Sequence, residues 1–364
     1  MQIGIIGLPN VGKSTFFNAL TRAGADAENY PFCTVDPNRG VVYVPDDRLD
    51  KLHKMNPEKK KTPVAIEFVD IAGLVEGASR GEGLGNQFLS QIRGVEALVH
   101  VVRCFQNKNI SHVLGKVDPV RDVEIIKTEL IMADLEVLEK QSKKNERMLK
   151  SGEKKYQEKQ KILEKFIDHL EAGTAIRELS LNDREKEYVN EFQLLTAKPI
   201  IYLANIDEED INRSSIEPVR ALETYAAEHQ TQVLKLSARI EADIAELDEE
   251  SAELFIEEMN LTESGLKRVI KTSYELLDLI TFFTTAGKKE VRASTIKRGA
   301  SAPEAAGKIH SDMQKGFIKA EVINFDQLYE AGSVNRAREE GLIRMEGKDY
   351  IVQDGDVCFF KFNI

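Results

Sequence analysis

The sequence predicts an α/β protein: a parallel sheet with helices on both faces, a helical insert, and a smaller β-rich domain at the end. Three observations carry this. Short apolar runs alternate with helical stretches near the start and again after residue 198. About 90 residues between Phe105 and Pro199 hold no strand-like run, far beyond an ordinary connection. From about Leu279 short β-prone runs separated by turn residues dominate.

Each element has a local reason. Gln2–Ile6 is short and apolar and stops at Gly7, as a buried strand does. Lys13–Ala23 has helical composition. Val64–Val69, Ala97–Phe105, Pro199–Ala204 and Gln232–Leu236 are rich in Val, Ile and Leu and read as strands. Helices are expected at Asn86–Gly94, Ser215–Glu228 and Ile240–Glu258. In the long gap, Ile131, Leu135 and Leu138 follow helical spacing, as do Leu163, Phe166 and Leu170. With Ser151-Gly152 between them, the spacing predicts an antiparallel helical hairpin. In the last domain Thr281–Thr285 and Glu290–Ser294 flank an Ala286-Gly287-Lys288 turn. Pro303–His310 reads as a helix; Phe317–Ile323, Tyr350–Val352 and Val357–Phe362 read as strands.

Composition excludes several classes. Of 364 residues, 42% are hydrophobic and 30% charged, enough apolar side chain to rule out disorder throughout. No apolar run approaches the roughly 20 residues of a membrane helix. Cys33, Cys104 and Cys358 are far apart with no CxxC pair, which argues against a disulfide scaffold or a structural zinc site. The start, MQIGIIGLPN, lacks the basic and apolar regions of a signal peptide, so a cytoplasmic location is expected.

Gly7-Leu8-Pro9-Asn10-Val11-Gly12-Lys13-Ser14-Thr15 fits GxxxxGK[ST] between a strand and a helix. Glycines let backbone N–H groups close around a β-phosphate, and the helix N-terminus adds its positive end. This defines a P-loop NTPase domain of G-protein-like type, with Asn10 to Thr15 cradling phosphates. Lys13 is expected on the β- and γ-phosphates and Ser14 on Mg²⁺. Asp70-Ile71-Ala72-Gly73 (DxxG) closes a hydrophobic strand: Asp70 is a candidate for holding Mg²⁺, and the Gly73 N–H for meeting the γ-phosphate. Thr34 is the candidate for closing over Mg²⁺ and the γ-phosphate, and the glycine-rich stretch Leu74–Gly85 for ordering on it.

Leu74 stands where Ras-type enzymes place the Gln that orients the attacking water, so intrinsic turnover should be slow. Three substitutes remain open: a monovalent cation held at Asn10, a water held by backbone groups, or His112 swinging toward the γ-phosphate. The base motif is also altered. After Pro199–Ala204 a GTPase carries NKxD; here the chain reads Asn205-Ile206-Asp207-Glu208. The guanine-reading Asp is replaced by the longer Glu208, which removes the advantage of guanine and the penalty against adenine. A lost charge-assisted hydrogen bond of this kind is worth about 1.5–3 kcal/mol, so ATP is expected over GTP. Ser237-Ala238-Arg239, after the strand Gln232–Leu236, lies where a base-contacting loop belongs.

Taken together, the phosphate loop GLPNVGKST, the stretches FCTVDPN and DIAGLVEGASRGEGLGNQFL, the NxxE base motif, the helical insert and the tail resemble the YchF-type Obg-like ATPases over essentially the whole chain. The resemblance implies ATP hydrolysis with Mg²⁺, stimulation by K⁺, ribosome binding, and a catalytic part for the loop histidine at 112. It also implies that KKEVRASTIKRG and DGDVCFFKFN belong to a TGS domain, a β-grasp module. The expected organisation is a nucleotide domain at 1–120 and 198–277, an α-helical coiled-coil hairpin at 121–197 and a TGS domain at 278–364, in a monomer.

The net charge of −11 argues against general nucleic-acid binding. The sum hides opposites, however. Residues 140–168 carry ten basic and five acidic side chains, whereas 241–258 carry nine acidic and no basic ones. The basic hairpin suits ribosomal RNA, or is simply a solvated helix pair. The leading reading is a Mg²⁺-dependent ATPase acting as a switch on the ribosome. A GTPase of the same fold and a nucleotide-gated RNA-binding adaptor are the alternatives.

Overall fold

The computed structural model describes residues 1–24, 38–71, 84–285 and 290–363. The chain forms two compact units, residues 1–42 with 67–269 and residues 43–66 with 270–364.

The first unit is built on β1 (Gln2–Ile6), α1 (Lys13–Ala23) and β2 (Arg39–Tyr43); α2 (Asp47–Lys54) and β3 (Lys60–Thr62) then leave it for the second unit. It resumes with β4 (Ala65–Asp70), α3 (Leu84–Arg93), β5 (Ala97–Arg103), α4 (Pro119–Leu149), α5 (Lys154–Glu171) and α6 (Asp183–Phe192). It continues through β6 (Ile200–Asn205), α7 (Glu217–Glu228), β7 (Gln232–Leu236), α8 (Ala238–Ile244) and α9 (Glu249–Glu258) into α10 (Gly265–Leu276). Its sheet runs β2-β4-β1-β5-β6-β7. β1 pairs parallel with β4 and β5, β5 with β6 and β6 with β7. Every residue of β5 and β6 is buried, which is why these segments read as largely apolar runs rather than alternating ones. With β5 between β1 and β6, the loops after these three strands gather at one end of the sheet, where open α/β sheets bind ligands.

The helical hairpin forms as its spacing predicts. α4 starts at Pro119 behind Asp118, whose carboxylate accepts the Arg121 N–H, and the turn follows Leu149. Leu138, Leu163, Phe166, Leu170, Tyr188 and Phe192 form its core. The expected single helix at 240–258 is instead two, because Asp248 accepts the Ser251 N–H and starts α9. Glu241, one of the nine acidic residues counted in 241–258, is buried and accepts the N–H groups of Gly265 and Leu266 at the start of α10.

The second unit adds β8 (Leu279–Thr284), β9 (Glu290–Lys297), α11 (Ala302–Ile309), α12 (Ser311–Lys315), β10 (Phe317–Asn324), α13 (Phe325–Ala331), α14 (Val334–Glu339), β11 (Arg344–Glu346) and β12 (Asp356–Phe362). The sheet order is β11-β10-β12-β8-β9-β3. β8 and β9 form a hairpin, β12 returns parallel to β8, and the Ala302, Ala305 and Ala306 face of α11 packs on Phe282, Val322 and Cys358 in a β-grasp arrangement. Here the expected boundaries shift. Residues 43–66, assigned from sequence to the nucleotide domain, belong to this unit: β3 pairs with β9, Thr62 Oγ1 donates to Glu290, and Arg48 sits over the Phe283 ring while pairing with Asp354. Lys60–Thr62 is a three-residue polar edge strand with no hydrophobic alternation to betray it. The strand expected at Tyr350–Val352 reduces to one bridge between Ile351 and Ser301. Among the described residues, no helix is long and apolar enough to cross a membrane.

Candidate nucleotide site

At the sheet end formed by β1, β5, β6 and β7 lies a cleft of about 780 Å³. The phosphate loop forms its floor. Asn10 and Gly12 adopt left-handed backbone conformations, φ 64° and 92°, and this turn aims the first N–H groups of α1 into the cleft. A Cβ on Gly12 would stand 2.2 Å from Asn205 Nδ2, so glycine is required for both its conformation and its lack of bulk. Asn10, Gly12, Lys13, Ser14 and Thr15 line the cleft; Val11 is buried beneath it. The Lys13 ammonium is ion-paired with Asp70 at the end of β4, so the expected phosphate ligand and the expected metal ligand lie side by side. Thr34 and Gly73, and the Leu74–Gly83 part of the glycine-rich stretch, lie outside the described residues.

Asn205 is 5% exposed and works as a brace. Its Nδ2 donates to the Val11 carbonyl and its Oδ1 accepts the Ala238 N–H, each at 2.9 Å. One side chain thus locks the phosphate loop to the loop carrying Ser237 and Ala238, both of which line the cleft. Ile206 is buried at the cleft wall, its N–H bonded to the Leu236 carbonyl. Asp207 turns back to accept the Glu208 N–H, and the Glu208 carboxylate stays half exposed in the cleft, 3.9 Å from Arg239.

His112 does not line the cleft. Its Nδ1 accepts the Leu114 N–H at 3.1 Å, which leaves Nε2–H to donate to Asp122 at 2.8 Å, and both side chains are buried. A swing toward the phosphates must break both bonds.

The opposite wall, Phe105, Asn107 and Ile110, was not foreseen. Asn107-Lys108-Asn109-Ile110 is not a base motif, and only strand order reveals it: the loop after β5 must pass between the loops after β1 and β6. Arg239, the third residue of the Ser237-Ala238-Arg239 loop, lines the cleft beside its two neighbours. Cys104, beneath the wall, is not a nucleophile, because burial pushes its thiol up to about 12.

Fold and phosphate loop together define a P-loop NTPase of the G-protein type. Residues 2–129 match the family described as 50S ribosome-binding GTPase, and residues 279–363 match the YchF GTPase C-terminal family, described as a protein of unknown function. Proteins called ribosome-binding ATPase YchF from Bacillus subtilis and Escherichia coli O157:H7 are 50% and 51% identical over 100% of this chain and 100% and 99% of their own lengths. The solved structure of the Schizosaccharomyces pombe YchF GTPase is 38% identical with a TM-score of 0.89, covering 99% of this chain and 97% of that one. The chain belongs to the YchF family.

Proposed function

We propose that this protein hydrolyses ATP to ADP and phosphate in a Mg²⁺-dependent reaction and acts as a nucleotide-dependent switch on the ribosome. The observation that carries this reading is the cleft itself: a strand–loop–helix phosphate cradle facing a base loop in which Ile206 and Glu208 replace the lysine and aspartate of guanine recognition. The printed names of the relatives, ribosome-binding ATPase, support the same activity and partner.

Lys13 leaves Asp70 for the β- and γ-phosphates, where its charge stabilises the transferring phosphoryl group. The N–H groups from Asn10 to Thr15 orient the β-phosphate, and the Gly73 N–H and Thr34 meet the γ-phosphate. Hard oxygen donors suit magnesium, and Ser14, Thr34 and Asp70 would hold it; the Asp70 carboxylate, ion-paired with the cleft-lining Lys13, fits that role. When bound, the ion neutralises charge developing on the phosphate oxygens. Asn10 Nδ2 donates to the Ser111 carbonyl, and Oδ1 accepts no hydrogen bond among the described residues, so it is available to a K⁺ ion near the phosphates. With Leu74 unable to orient water, that function would fall to a cation held at Asn10, to backbone groups holding the water, or to His112 released from Asp122. Guanine N1–H and its amino group need a fixed carboxylate; Glu208 is half exposed and drawn toward Arg239, which favours adenine. The protein works as a cytoplasmic monomer.

Steady-state hydrolysis of ATP and GTP in K⁺ and in Na⁺ tests this. The expected result is slow ATP turnover that K⁺ raises at least several-fold over Na⁺. Equal rates in the two salts would refute the cation role, and turnover of GTP alone would refute the ATPase reading.

A further inference from the structure

Arg103, the last residue of β5, is among the largest fully buried side chains, 2% exposed. Among the described residues no carboxylate forms an ion pair with it. Its five N–H donors go instead to five main-chain carbonyls. Nε donates to Phe105 at 3.2 Å, Nη1 to Asn10 and Ser111 at 3.4 Å each, and Nη2 to Ile110 at 2.9 Å and Asn107 at 3.5 Å. The guanidinium also lies over the Phe105 ring, 4.4 Å from its centroid.

A buried cation is costly unless its donors are met, so the guanidinium and the path of the loop determine each other. The two ends of this contact are both parts of the cleft. Phe105, Asn107 and Ile110 form its wall, and Asn10 belongs to the phosphate loop at its floor. Asn10 Nδ2 reaches the same Ser111 carbonyl that Arg103 engages, which closes the contact into a ring. The planar fork spans these acceptors; a lysine ammonium, with three donors on one atom, does not.

We propose that Arg103 is a positioning residue of the nucleotide site, holding the Phe105–Ser111 wall and the Asn10 carbonyl in the arrangement that receives the nucleotide. This rests on the nucleotide reading of the cleft. Arg103 acts through the wall rather than by touching the reacting phosphate, so its loss weakens capture more than it slows the chemical step.

The test compares wild type with Arg103→Lys, which keeps the charge but not the fork, and with Phe105→Leu, an apolar change that keeps the arginine and removes the ring beneath it. Hydrogen exchange of amides 105–111 and steady-state ATP hydrolysis are read in each. Arg103→Lys should exchange faster at 105–111 while β1 and β6 stay protected, and its KM for ATP should rise about tenfold with kcat within threefold. Phe105→Leu should shift exchange at 107–111 in the same direction by less. Wild-type exchange in Arg103→Lys, or faster exchange with unchanged KM, overturns the proposal. Should Arg103→Lys fail to fold, unchanged exchange in Phe105→Leu overturns it. Failure of the nucleotide reading is distinct: wild type itself would then neither bind nor turn over ATP.

Discussion

At the residue scale the site depends on a few residues that cannot be exchanged. Gly12 combines φ 92° with a neighbour 2.2 Å from where a Cβ would stand. Gly12→Ala should therefore lower both thermal stability and nucleotide affinity; the backbone term alone is about 1–2 kcal/mol. Calorimetry and a nucleotide titration would check this, and an unchanged affinity would contradict the packing of Asn205 against the loop. His100 shows how burial sets pH response. It lies on β5, 1% exposed and edge-on to Tyr202, and desolvation, with Arg177 adding to it, lowers its pKa to about 3. Unfolded, the imidazole titrates near 6.5. Below that pH the unfolded chain binds a proton that the folded chain refuses, so stability is full above about 6.5 and falls as pH drops toward 3. Between pH 7 and 5 this group costs about 2 kcal/mol. His100→Phe should flatten that part of a melting-temperature profile, and an unaltered slope would show that other groups set it.

At the element scale the hairpin illustrates how local pattern and tertiary contacts divide the work. Leucine and phenylalanine spacing predicts both helices and the turn near Ser151, because each helix buries one stripe. The hairpin's anchor is not visible in that pattern. Asp134 is fully buried; its two oxygens accept the N–H groups of Leu195 and Thr196 at 2.8 Å and the Thr196 hydroxyl at 2.6 Å, just ahead of β6. Asp134→Ala would strand three buried donors and should cost about 3 kcal/mol or more, measurable by urea unfolding. A loss below about 1 kcal/mol would mean that water or backbone movement replaces the carboxylate. The same division explains what the sequence left unread. The phosphate loop and the four parallel strands after it announce themselves by local composition. β3, the break at Asp248 and the Arg103 wall depend on edge pairing, a cap and strand order, none of which leaves a periodic trace.

At the scale of the whole chain, the net charge of −11 conceals a basic hairpin. Lys143, Lys144, Lys154 and Lys155 lie at or near its end, and Lys143 and Lys155 are well exposed, with surface ion pairs to Glu139 and Glu153 that are worth little. Changing all four to Glu should weaken ribosome co-sedimentation most at low salt while leaving ATP turnover intact; unaffected co-sedimentation would remove the hairpin as the contact. What the cleft does depends most on which base it accepts. Competition of ATP and GTP for the cleft at equilibrium, in Mg²⁺ and K⁺, tests it most directly. ATP should bind at least tenfold more tightly than GTP, a difference of about 1.4 kcal/mol or more. A clear preference for GTP would contradict the ATPase reading.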